Sequence, residues 1–101
     1  MELTRVAIEK AESTNLILGQ SHFIKTVIVL EVAKEEYLEE IKSRTAPLTD
    51  IAIITLGEQR LSDLRNPDYK DRLKQDLLQR MNRRLQATKI RQVYFDEFLY
   101  Q

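Results

Sequence analysis

Residues 22–32 show a largely apolar pattern with a period of two, and this pattern predicts a β-strand. One face of the strand carries Ile24, Thr26, Ile28, Leu30 and Val32. The opposite face is also largely apolar. A strand with two apolar faces suits a sheet that helices cover on at least one side.

The end of the chain predicts a second strong strand. Residues 90–101 are rich in aromatic and β-branched side chains and contain neither Gly nor Pro. Because this strand ends the chain, it has to pair with a strand laid down earlier, and residues 22–32 are the best partner. The two strands and the helical middle between them predict a βαβ-type unit.

The first residues give weaker signals. Residues 3–8 predict a leading strand or an extended arm, and the polar residues 9–15 predict a connector. Gly19, Gln20 and Ser21 predict a turn, because Gly can adopt a positive φ there.

Residues 34–44 predict an amphipathic helix with a narrow apolar stripe of Tyr37, Leu38 and Ile41. Residues 48–56 are ambiguous, since they have strand propensity and also fit helical spacing. Pro47 near the start of this segment and Gly57 after its end are typical of a helix. We therefore favour a buried helix, with Pro47 as a kink or a fresh start.

A third helix is predicted to begin at Asn66, Pro67 and Asp68. Asn caps free N–H groups, Pro suits the first helical position, and Asp favours the positive end of the helix dipole. This helix is predicted to run to about Gln86, after a short helical turn at residues 61–64.

Composition narrows the functional classes. The 101 residues correspond to one domain, and 16 basic residues balance 16 acidic ones, which gives no support to nucleic acid or an anionic membrane as a partner. The absence of Cys excludes disulfides and thiolate chemistry. No run approaches the ~20 apolar residues of a membrane-spanning helix, so we expect a soluble chain.

Reactive groups are scarce. His22 is the sole histidine, and nothing at the spacing of a catalytic partner or a metal ligand accompanies it. The glutamates of residues 35–40 lack the glycine-turned loop of a calcium site. We predict a non-catalytic protein with no cofactor and no metal, in which His22 is structural or on the surface.

The candidate interface comprises two charged sets on predicted helices. The acidic set, expected to point away from the core, consists of Glu35, Glu36, Glu39 and Glu40. The basic set consists of Arg80, Arg83, Arg84 and Lys89. Each set also has a simpler interpretation, a solvated helix face for the acidic set and a helix C-terminus for the basic set. As an interface, the two sets would be opposed faces that fix the register between copies of the chain.

In chain order, these elements resemble the periplasmic domain of the flagellar basal body-associated FliL family, over residues 13–101. The matching segments are NL at 15–16, VLEV at 29–32, PL at 47–48, LSDL at 61–64, NP at 66–67 and VYFDEF at 93–98, with a terminal Gln101. The resemblance implies a small α+β domain of stomatin-like (SPFH) type, in which a twisted sheet packs against two or three helices.

The resemblance also implies a location and partners. Family members are implied to be single-pass proteins of the bacterial inner membrane, with this domain in the periplasm. They are implied to form homo-oligomeric rings around flagellar stator proteins of the MotA/MotB type and to support swimming or swarming. This chain would then be one domain, residues 1–101, excised from its transmembrane helix and cytoplasmic tail.

A second resemblance is local. Residues 15–27 are similar to the opening of adenosine-specific kinase-type proteins, which would imply a nucleoside-binding enzyme. A generic SPFH-like oligomerisation module outside motility is the other alternative. Tight binding of adenosine in calorimetry would favour the enzyme.

Overall fold

A computed structural model of the protein describes residues 4–17, 20–60, 63 and 65–100. The strands are β1 (Arg5–Ile17), β2 (Gln20–Val32) and β3 (Ile90–Tyr100). Between β2 and β3 lie a 3-10 turn (Glu35–Tyr37) and the helices α1 (Leu38–Ser43), α2 (Thr45–Gly57) and α3 (Tyr69–Asn82). This mixture of a sheet and packed helices confirms the predicted small α+β domain.

The described strands form an antiparallel sheet in the order β1-β2-β3. The predicted pairing of the last strand with residues 22–32 is confirmed, since Val32 lies opposite Ile90 and Ile24 opposite Tyr100. The βαβ-type unit is wrong, because its strands would be parallel. The excursion contains two long helices, α2 and α3, and it returns the chain to the end of β2 that it left.

The predicted connector at residues 9–15 is also wrong. β1 continues through these residues to Ile17 and stays paired with β2, with a register shift between Ile8 and Ala11. Hydrogen bonding to a long central strand overrides the weak strand propensity of polar residues on an edge strand.

The described residues of the segment with the local kinase resemblance, 15–17 and 20–27, belong to β1 and β2, which pair with each other. Of the predicted turn, Gln20 and Ser21 belong to β2, whereas Gly19 lies outside the described residues. The predicted helical turn at residues 61–64 lies largely outside them, and so does the side chain of His22.

The core lies between one face of the sheet and the helices. The face of β2 that carries Ile24, Thr26, Ile28, Leu30 and Val32 is the inward one, because all five residues are buried. The buried apolar residues are Ile8, Ala11, Ile24, Ile28, Leu30, Val32, Leu38, Ile41, Leu48, Ala52, Leu56, Leu73, Leu77, Met81, Leu85, Ile90 and Val93. Thr26 is also buried, and its hydroxyl donates to the carbonyl of Glu97 beside an irregularity in the β2–β3 pairing. Each large side chain that leaves water contributes about 1.5–3 kcal/mol.

The helices after β2 bury the predicted apolar residues fully or in part, but their bounds differ from the prediction. The first predicted helix is split into the 3-10 turn and α1, although Leu38 and Ile41 are buried as expected. The helical interpretation of residues 48–56 is confirmed by α2. Pro47 lies in the first turn of α2, where its missing N–H would have no helical acceptor. It therefore marks a fresh start rather than a kink.

α3 ends at Asn82, short of the predicted Gln86. The side chain of Asn82 explains this end: its Oδ1 accepts the N–H of Ile90 at 2.7 Å, and its Nδ2 donates to the Ile90 carbonyl at 3.2 Å. The side-chain amide thus satisfies both backbone polar groups of Ile90, as a neighbouring strand would. The pair ties the end of α3 to the start of β3.

α3 begins at Tyr69 with Asp68 at its N-cap, two residues after the predicted cap Asn66. Asn66 supports the turn that leads into the helix, and this turn gives a prediction. Its Oδ1 accepts the N–H of Asp68 at 2.9 Å, and its carbonyl accepts the N–H of Tyr69 at 3.0 Å. Asn66→Ala leaves the first of these donors without its side-chain partner and is expected to lower the free energy of unfolding by about 0.5–2 kcal/mol in urea denaturation. Asn66→Asp, which keeps the acceptor, is the control. Equal urea midpoints for Asn66→Ala and the native chain would show that this turn does not support the helix.

Candidate interaction surfaces

The described residues contain no cluster of three or more His, Asp or Glu side chains placed to hold a metal ion. One cavity of about 140 Å³ lies beside the first half of α3, lined by Gln59, Asp63, Asn66, Tyr69, Arg72, Leu73 and Asp76. Burial raises the pKa of the Tyr69 phenol. Among these lining residues, none forms the nucleophile and base pair that covalent catalysis needs.

Three members of the acidic set point into solvent, as the sequence predicts. Glu35, Glu36 and Glu39 are exposed on the 3-10 turn and α1. Glu36 lies 3.8 Å from the ammonium of Lys34, in a pair where both side chains are more than half exposed. Exposed pairs of this kind contribute little to stability, so these carboxylates remain accessible.

Glu40 differs from the other three, and the prediction that it points away from the core is wrong. Its carboxylate accepts backbone N–H groups of the α3–β3 connector: Gln86 at 2.7 Å, Thr88 at 2.8 Å and Ala87 at 3.2 Å. The hydrogen bond from Gln86 is the largest cause that lowers the pKa of this carboxyl to about 2. Glu40 therefore ties α1 to the connector.

Arg80 is likewise engaged within the fold. Its guanidinium lies 2.7 Å from a carboxylate oxygen of Glu58 and 2.9 Å from one of Asp76, and it donates to the Thr55 hydroxyl at 3.2 Å. The hydrogen bond to Glu58 is the largest cause that raises the pKa of Arg80. Arg80 joins α2 to α3, whereas Arg83, Arg84 and Lys89 are exposed.

Within the subunit, Glu40 brings the acidic set next to the segment that carries the basic set. Glu40 binds residues 86–88, which separate Arg84 from Lys89, and the hydroxyl of Thr88 donates to the carbonyl of Tyr37 at 3.2 Å. The role of the exposed members in an interface stays a prediction.

The sheet presents a second surface, which contains no member of the acidic set or the basic set. All the described helices that pack on the sheet lie on its inward side, where even-numbered residues of β2 are buried. On the outer face, Phe23, Val27 and Val29 are only half-buried, and Leu99 is 43% exposed. We call this surface the bare sheet face. In the sequence, the bare sheet face is indicated by residues 22–32, which are largely apolar on both sides of the strand.

A polar clamp closes one end of the bare sheet face and crosses all three described strands. Arg5 on β1 lies 3.2 Å from a carboxylate oxygen of Glu31 on β2, and the Tyr94 hydroxyl on β3 donates to the other oxygen at 3.1 Å. The guanidinium also lies 4.8 Å from the centre of the Tyr94 ring. Cross-strand contacts of this kind fix the sheet register.

α2 presents a third surface. It carries one charged residue, Asp50, between Thr45 and Gly57. Its inward side buries Leu48, Ala52 and Leu56, yet Ile53 is 37% and Ile54 51% exposed on the other side. We call Asp50, Ile53 and Ile54 the outer α2 face.

These features define a small α+β domain whose distinctive surfaces are charged or apolar. A model of the family described as "Flagellar basal body-associated protein FliL" matches residues 6–101, and the chain belongs to this family. This confirms the resemblance seen in the sequence. The chain is also similar to the "Flagellar protein FliL" of Aquifex aeolicus (strain VF5), with 30% identity over 79 residues.

That alignment covers 78% of this chain and 49% of the Aquifex protein. The chain thus spans about half the length of the curated relative that it matches. Within the described ranges, no helix combines the length and apolar character that a membrane crossing requires.

Proposed function

We propose that this chain is the periplasmic domain of a non-catalytic accessory protein of the bacterial flagellar motor. In this proposal, copies of the domain form a ring around stator units of the MotA/MotB type and support torque, swimming or swarming. The match of residues 6–101 to the flagellar basal body-associated FliL family carries the proposal. A single helix outside this chain would anchor the parent protein in the inner membrane.

The surfaces support an assembly role. The exposed charges, the bare sheet face and the outer α2 face can all contact another protein, and such contacts require no catalytic group. Isolated domains are expected to associate weakly, because exposed ion pairs contribute little each and salt screens them. Confinement by a membrane anchor raises the effective concentration and favours ring closure.

The proposed function predicts where the parent protein is found and what its loss changes. In a flagellated bacterium that encodes this chain, a fluorescently tagged parent protein should co-localise with flagellar motors. In-frame deletion of residues 6–101 should reduce swimming speed in viscous medium while flagellar filaments are still assembled. A diffuse signal together with normal swimming under load would contradict the proposal.

The exposed charges give a separate prediction about ring register. Arg83→Glu combined with Arg84→Glu is expected to weaken ring formation by the anchored protein, and Glu36→Lys combined with Glu39→Lys should restore it. Arg80 is left unchanged, because its replacement would break the α2–α3 contact. Arg65→Glu, an exposed change elsewhere, is the control. Rings and motility that withstand the double Arg change would show that these charges are only a helix terminus.

A further inference from the structure

We infer that the outer α2 face of one subunit covers the bare sheet face of the next copy. This inference rests on the proposed ring and names the contact that builds it. The two surfaces belong to different layers of the domain, helix and sheet. The contact is therefore heterologous, which produces rings or open filaments rather than closed two-fold dimers.

The composition of α2 supports the first half of this contact. A helix that is apolar on all sides is normally buried on all sides. α2 has a single charged residue, but the fold covers only the side that carries Leu48, Ala52 and Leu56. Ile53 and Ile54 make up two of the three large apolar residues that are classed as exposed in the described part of the chain. The outer α2 face therefore lacks a cover within the described part of the subunit.

The third of these exposed residues, Leu99, lies on the bare sheet face. Leu99 is directly opposite Lys25 in the β2–β3 register, and Phe23 and Val27 flank Lys25 on the same face of β2. The sheet thus offers an apolar surface that contains Lys25, with the exposed Glu97 opposite Val27 at its β3 side. The Arg5–Glu31–Tyr94 clamp supplies a polar border, as at the rims of protein interfaces.

The two surfaces match in charge and in spacing. On α2, Asp50 and Ile54 are one helical turn apart, which places their Cβ atoms about 5–6 Å from each other. Lys25 and Leu99 are cross-strand partners, with Cβ atoms about 4.5–5.5 Å apart. When α2 of one copy lies on the sheet of the next, a single orientation can place Asp50 beside Lys25 and, at the same time, Ile54 beside Leu99. This complementarity within one chain favours a second copy as the occupant over a lipid surface or an unrelated protein.

The absence of Cys allows a direct test by engineered cysteines. The full chain would be tethered by an amino-terminal histidine tag to phosphatidylcholine vesicles that contain a nickel-chelating lipid, and treated with a short bismaleimide. Ile54→Cys combined with Leu99→Cys should give a ladder of crosslinked oligomers. A mixture of the two single variants should stop at dimers, and each single variant alone should stay monomeric.

Two controls make the test specific. Gln79→Cys combined with Leu99→Cys places one cysteine on an exposed position of α3 and should give no ladder. Asp50→Lys in the crosslinking variant should reduce the ladder roughly two- to fivefold, and a further Lys25→Glu should restore it. Both positions are exposed, so these changes are not expected to disturb the core.

The outcomes separate this inference from the proposed function. If the tethered native chain forms oligomers with an amine-reactive crosslinker but the Ile54–Leu99 pair gives no ladder, the inferred contact is wrong and the ring proposal stands. Ladders of equal strength from the Gln79 control would also overturn the inference. If neither crosslinker gives oligomers, both the contact and the homo-oligomeric ring are contradicted.

Discussion

Replacing Leu77 with Ala is expected to lower the free energy of unfolding by about 2–5 kcal/mol, and Met81→Ala should have an effect of the same size. Both side chains have no exposed surface and pack on the inner side of α3 against the sheet. Their truncation removes apolar contacts and leaves a cavity that the surrounding helices fill only in part. Urea denaturation followed by circular dichroism would measure the loss.

Gln79→Ala is the matched control, because Gln79 is exposed on the same helix. It should change stability by less than about 0.5 kcal/mol. Domains of this size have a total stability of about 5–15 kcal/mol, so either core substitution removes a large share of it. Losses below about 0.5 kcal/mol for both Leu77 and Met81 would mean that α3 does not pack as described.

The second large effect is expected at Glu40. Glu40→Gln removes the charge that accepts three backbone N–H groups of residues 86–88, so the variant should melt at a lower temperature than the native chain at pH 7. The carboxyl pKa is lowered from 4.5 to about 2 in the folded protein. The ionised group therefore stabilises the fold above pH ~4.5, and this contribution disappears as the pH falls towards 2.

The difference in melting temperature between the native chain and Glu40→Gln should accordingly shrink between pH 5 and pH 2. Glu39→Gln, an exposed change at the neighbouring position, should match the native chain across this range. A constant difference for Glu40→Gln at every pH would show that the variant disturbs packing, and that ionisation of this carboxyl does not stabilise the connector.

The elements with a clear local signal could be predicted from the sequence. The strand β2 and its two faces follow from period-two spacing, and the Pro47 and Gly57 boundaries decided between helix and strand for α2. The pairing of β3 with β2 followed because both segments have strong strand signals and a helical excursion separates them. Each of these features is encoded within a few neighbouring residues or by chain connectivity.

The features that the sequence did not predict depend on contacts between distant residues. Residues 9–15 look like a connector until β2 supplies hydrogen-bonding partners for them. Glu40 looks like its exposed neighbours, because its partners at 86–88 lie more than forty residues away. Arg80 looks like Arg83 and Arg84, although only Arg80 reaches Glu58. Only the tertiary structure therefore distinguishes the charges that are engaged within the fold from those that remain exposed.

The most direct test of the flagellar role is electron cryotomography of motors in a bacterium that encodes this chain. Averages from the native strain should show ring-shaped density around the stator units on the periplasmic side, and in-frame deletion of residues 6–101 should remove that density while the rest of the motor persists. Identical density in the two strains would contradict the proposal that this domain forms the ring.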